Sequence, residues 1–218
     1  MLFTCGHQRH RHAHAADHGG SQTVSNGTNS LTVDIHCHRQ CYPAGEMMQA
    51  EAKRAGFTAL SFGSALTKEV NRKQLEFVKP KMLSIENRLA DMDSMGVDIQ
   101  AVSVSPYQYY YWAEPEQGRD VCRLINDDMA EAIALHAERF VGLGTVPLQN
   151  TEMAIAELGR CIDELGYRGI EINSQVAGEE LSSKRLEPFW AKLEELDVLV
   201  FIHTAGFTHP DRLKEHYF

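Results

Sequence analysis

The sequence predicts an α/β fold built on a parallel sheet. Apolar, strand-like runs alternate with helical segments five times, which is the pattern of right-handed βαβ crossovers. The runs are apolar on both faces, as strands covered on both sides must be. Two of them stop at a proline, Pro106 and Pro147. An open doubly wound sheet and a (β/α)8 barrel both satisfy this pattern. No GxGxxG fingerprint follows the first run, which weakens a dinucleotide-binding reading.

The first strand is "LTVDIHC", from Leu31. Glu46 to Phe57 and Leu66 to Val78 read as helical. In "SIENRLADMDSMG", Ile85, Leu89 and Met92 share a helical face, Ser84 is placed to cap and Gly96 to stop the helix. Ile99 to Pro106 is the second strand. A long helix over about Glu116 to His136 carries Val121, Leu124, Ile125, Met129 and Ile133 in register. Arg139 to Pro147 is the third strand. The next helix has Thr151 as its expected cap, Gly166 as its end and Ile155, Leu158, Ile162 and Leu165 on one face. Gly169 to Gln175 is the fourth strand, "LEPFWAKLEELD" a helix and Val198 to Thr204 the fifth strand.

Residues 1–30 follow no hydrophobic period and are rich in Gly, Ser, Asn and His, so they read as a disordered leader. Residues 31–218 read as the folded part. The leader holds His7, His10, His12, His14 and His18, and its sharper reading is a metal-scavenging tail. Among 218 residues, 43% are apolar, enough for one sizeable core. Lys plus Arg number 21 and Asp plus Glu 30, a net charge of -9, with no basic stripe for nucleic acid. No apolar run approaches the ~20 residues of a membrane span. Five cysteines, an odd number with no CxxC pair, argue against a disulfide framework and for a reducing, cytoplasmic setting.

The chemistry concentrates at strand ends. Residues two apart in a strand point the same way, so His36 and His38 are expected to project together from the end of the first strand, where α/β folds place their sites. Two imidazoles so placed suit a divalent metal, although a lone HxH also fits two hydrogen-bonded histidines. Cys37 should face the core. Asp34 is expected on the same side as His36, deeper, as support for a ligand. His203 ends the fifth strand, which lies across from the first in a closing barrel, and gives the pair a third partner. His136, His209 and His216 are weaker candidates. A carboxylate or fourth ligand and a general acid or base are still wanted.

"VDIHCH", "RLADMDSMGVDIQAVSVSP", "YYWAEPE", "NDDMAEAIALHAERFVGLGTVPLQ", "AIAELGRCIDELGYRGIEI" and "VLVFIHTAGF" together resemble the amidohydrolase superfamily, in its aminocarboxymuconate semialdehyde decarboxylase-like branch. The resemblance runs from about Leu31 to Phe218. It implies a (β/α)8 TIM barrel of the metal-dependent hydrolase type, of which about the first five βα units are present. It implies a divalent metal, usually zinc, with His36, His38 and His203 as ligands. It implies non-oxidative loss of CO2 from a small unsaturated or aromatic carboxylate. Tyr111 and Trp112 match a family Tyr-Trp near the pocket, and Arg72 is the nearest match to an arginine that grips substrate carboxylate. A homodimer is one expectation for the assembly.

The resemblance has departures. The family's catalytic histidine on strand six and ligand aspartate on strand eight lie past Phe218, so the chain is expected to be a C-terminally truncated, inactive piece. Thr204 stands where the family often has proline. A hydrolase of the same fold, acting on a lactone, amide or C–C bond, is the alternative. A non-catalytic chain binding metal through its His-rich leader is the alternative of another class.

Overall fold

A computed structural model describes residues 31–55 and 65–204. The leader, His209 and His216 lie outside the described residues. The chain runs β1 (Val33–Arg39), α1 (Tyr42–Arg54), α2 (Ala65–Leu83), α3 (Ile85–Met95), β2 (Ile99–Val104), α4 (Pro115–Ala134), β3 (Phe140–Gly144), α5 (Thr151–Asp163) and β4 (Gly169–Asn173). A two-stranded hairpin of β5 (Gln175–Val176) and β6 (Glu179–Glu180) follows, then α6 (Glu187–Leu196) and β7 (Leu199–His203).

Five strands form one sheet in the order β1-β2-β3-β4-β7, every pair parallel. The sheet curls. Its two outer strands approach each other, with the ring of His36 on β1 5.4 Å from that of Phe201 and 5.1 Å from that of His203, both on β7. Alternation in sequence could not separate an open sheet from a curled one, because crossovers build both.

Local chemistry explains most element ends. The Ser84 side chain accepts from the Asn87 amide at the start of α3, and Gly96, at φ +69°, ends it in the left-handed conformation. For α5 the cap is Asn150, not Thr151. Its side chain accepts from the Met153 amide, while the Thr151 hydroxyl donates to the Arg185 carbonyl. Pro43 sits in the first turn of α1, where a missing N–H costs nothing, and the helix therefore begins earlier than Glu46. α2 runs on through Pro80 to Leu83, beyond Val78.

The core splits about the sheet. Cys37, Met92, Val102, Met129, Phe140, Cys161 and Tyr167 pack where α3, α4 and α5 cover β1 to β3. A larger cluster gathers Met48, Val104, Ile125, Leu158, Ile172 and Phe189. Cys37 faces the core as its alternation required. Cys37, Cys41, Cys122 and Cys161 are all free and buried. Between the layers Asn126 grips Thr145 at both its amide and its carbonyl, at 2.9 Å each, and donates to buried Glu157 at 2.7 Å. Among the described residues no helix is long and apolar enough to cross a membrane.

Candidate metal centre

His36, His38 and His203 converge. One nitrogen from each lies within 4.8 Å of the others, and the ring centroids stand 4.8, 4.9 and 5.1 Å apart. Two of the rings come from the end of β1. The third is the last residue of β7, which the pairing with β4 places opposite Asn173.

The local backbone is not a plain strand. β1 and β2 pair Asp34 with Gln100 and Cys37 with Val102, so β1 carries one residue more than β2 between these pairs. This β-bulge breaks the two-residue alternation. Asp34 stands before the bulge, opposite its registered partner Gln100. Its Oδ2 accepts from Gln100 Nε2 at 3.0 Å, and its Oδ1 accepts from the backbone amide of His36 at 3.1 Å. Asp34 supports the histidine through its main chain rather than its ring.

His38 is fixed by its second nitrogen. Nδ1 lies 3.1 Å from the Val104 carbonyl and 3.1 Å from Ser103 Oγ. A carbonyl only accepts, so Nδ1 carries the proton and Nε2 presents its lone pair. His36 Nε2 lies 3.0 Å from that nitrogen. Two nitrogens ~2.0–2.1 Å from one tetrahedral metal stand about 3.3 Å apart, so the spacing fits a shared cation. His203 Nδ1 is buried without a hydrogen-bond partner among the described residues, as a nitrogen meant for a metal would be in its absence.

Electrostatics keep the His38 and His203 rings neutral. Burial, helped by His203 and His36, pushes the His38 pKa down to about 4. Burial and then His36 lower that of His203. Neutral imidazole is the form that binds metals.

A further group was not anticipated. Glu171, in the middle of β4, is 0% exposed and accepts a 2.6 Å hydrogen bond from Tyr109 Oη. Its carboxylate lies 3.8 Å from His38 Nδ1. Burial raises its pKa to about 7, against the opposing effect of the Tyr109 hydrogen bond. The signal was available in "GIEIN": a glutamate inside a strand buried on both faces is costly unless it has a partner.

The aromatic stretch after β2 divides. Tyr109 reaches the site through Glu171. Tyr111 is buried and stacks on Tyr109 at 5.5 Å, and Trp112 meets Tyr110 edge-on at 5.9 Å. Arg72 lies on the exposed face of α2, bonded to Glu69 and Glu76 of the same helix. His136 follows α4 and packs edge-on against Phe140, away from the other histidines. A cavity of about 380 Å³ opens beside the centre, and Asp34, His36, His38, Lys81, Arg88 and Gln100 contribute to its wall. Tyr111, Trp112 and Arg72 do not line it.

Comparison with known proteins matches residues 33–216 to the family described as Amidohydrolase. The chain is 38% identical over 130 residues to the 2-amino-3-carboxymuconate-6-semialdehyde decarboxylase of Dictyostelium discoideum, covering 60% of this chain and 36% of that protein. It is 34% identical over 144 residues to the gamma-resorcylate decarboxylase of Rhodococcus jostii, covering 62% of this chain and 44% of that one. The solved 5-carboxyvanillate decarboxylase of Novosphingobium aromaticivorans, complexed with manganese and 4-hydroxy-3-methoxy-5-nitrobenzoic acid, superposes with a TM-score of 0.67 at 25% identity. That alignment covers 86% of this chain and 54% of the other. The chain thus spans about half the length of these relatives, or less.

Proposed function

The chain belongs to the amidohydrolase family, and from that premise we propose that it carries the metal-binding histidines of a carboxy-lyase acting on a small unsaturated or aromatic carboxylate. The fold is that of the metal-dependent (β/α)8 barrels, with five of its strands in place. The observation that carries the proposal is the convergence of His36, His38 and His203 from two strands that meet only because the sheet curls.

A divalent cation held by the three histidines would supply a Lewis acid for the oxygens of the substrate carboxylate. An all-nitrogen histidine set suits zinc, and zinc is the metal we assign. The chain's own residues do the rest. Val104 and Ser103 hold the His38 ring with Nε2 turned outward. Glu171, with its pKa near neutrality, keeps a proton available beside His38, and Tyr109 fixes the carboxyl that holds it. Loss of CO2 requires a proton at the carbon that bore it, so a buried acid of this kind is in keeping with the reaction. Tyr111 backs the Tyr109 ring. Trp112 and Arg72 remain candidates for substrate contact and carry no step here. Four buried, free cysteines favour a reducing compartment, which supports a cytoplasmic protein. A homodimer is retained as the proposed assembly.

The test is CO2 release by the product of the complete reading frame, with 2-amino-3-carboxymuconate semialdehyde and gamma-resorcylate as substrates and metal content measured in parallel. We expect zinc and activity in the native protein, and loss of both in His36→Ala/His38→Ala. Unchanged turnover in a metal-free double variant would overturn the proposal. Cleavage of a lactone or amide without CO2 would replace it with a hydrolase of the same fold.

A further inference from the structure

Arg88 is 7% exposed, in the middle of α3. A guanidinium taken out of water costs several kcal/mol unless its donors are met. Among the described residues no carboxylate comes within ion-pair distance of it. Its donors go elsewhere. Nη2 donates to the His38 carbonyl at 2.6 Å, and Nη1 donates to Gln100 Oε1 at 3.1 Å. Gln100, itself buried, passes the contact on: its Nε2 donates to Asp34 Oδ2 at 3.0 Å, and Asp34 Oδ1 accepts from the His36 amide at 3.1 Å. One buried cation is thereby joined to the main chain of both β1 histidines, directly at His38 and through two side chains at His36.

The relay spans the bulge. Asp34 stands at one side of the extra residue and Cys37, next to His38, at the other. Asp34 and Gln100 are registered partners across β1 and β2, which sets their side chains beside each other. The bulge lies between the relay's end at Asp34 and the ligand His38, and a bulge re-aims the side chains beside it.

We propose that Arg88 is the positioning residue of the metal centre, fixing the spacing of His36 and His38 through the Gln100–Asp34 relay and the His38 carbonyl. The inference rests on the reading that the three histidines bind a metal. It predicts that metal affinity depends on the fork of the guanidinium, not only on its charge. A lysine ammonium is a point donor on a flexible stem and cannot hold both arms in the same fixed geometry.

The test uses the 218-residue chain with zinc and a competing chelator, alongside urea unfolding of each variant without metal. Arg88→Lys is expected to weaken zinc binding roughly 10–100-fold, the usual effect of removing such support. Gln100→Met, which cuts only the His36 arm, should weaken it less, and keeps the test open should Arg88→Lys fail to fold. Met92→Ala, on the same helix, fully buried in the apolar cluster and no member of the relay, should lose stability yet keep native affinity. Native affinity in both Arg88→Lys and Gln100→Met overturns the proposal, and so does an equal loss of affinity in Met92→Ala. A native chain that binds no zinc overturns the underlying reading instead.

Discussion

His38 and Glu171 titrate in opposite senses within 3.8 Å of each other. The His38 pKa falls from 6.5 to about 4 on folding, so its contribution to stability is complete above pH 6.5 and is lost as pH drops toward 4. The Glu171 pKa rises from 4.5 to about 7, so its contribution is complete below pH 4.5 and is lost as pH rises toward 7. In the metal-free protein the two slopes oppose each other. Glu171→Gln removes only the second. The stability of that variant relative to native should therefore climb between pH 4.5 and 7, by up to about 3 kcal/mol at ~1.4 kcal/mol per pKa unit. Urea unfolding at both pH values, with chelator present, measures it, and a constant gap would contradict a neutral buried carboxyl. At this scale the three histidines were legible because residue type and strand-end position sufficed. Asp34 was read as support for a ligand histidine, and its contact runs to the His36 main chain rather than the ring. Glu171 was overlooked, although a charge in an apolar strand is a visible anomaly.

The elements place those residues, and β7 is the one the site depends on most. Gly169 opens β4 opposite Leu199. A Cβ there would come 2.3 Å from the Leu199 carbonyl oxygen, a backbone atom that can yield only by parting the two strands. Gly169→Ala is expected to cost about 1–3 kcal/mol, the usual penalty for forced overpacking, and to displace His203 with β7. Denaturant unfolding checks the first effect, and native stability in that variant would show that β7 is free to move. Strands and helices were readable here because their apolar periods are strong, as in α4 and α5. Their ends were read less well. Pro43 lies in the first turn of α1, three residues before Glu46, Asn150 caps α5 one residue before Thr151, and Pro80 does not stop α2.

At the scale of the molecule, the curled sheet leaves β1 and β7 as its outer strands, with Ile35 55% and Ile202 51% exposed. Curling is what turns two distant sequence motifs into one centre: His36 and His38 begin the described chain, and His203 nearly ends it. The alternation of strands and helices was legible without any structure. The curl was not, because it arises from strand tilt and from side chains meeting across the sheet. Two places in the chain are rich in histidine, and the strand-end set lies among the described residues. Zinc retained per chain after dialysis, measured by elemental analysis, separates them. The native protein and a variant with His7, His10, His12, His14 and His18 all changed to alanine should each keep one zinc, and His36→Ala/His38→Ala/His203→Ala should keep none. Zinc lost with the leader histidines, or kept without the three at the strand ends, would contradict the assignment of the metal centre.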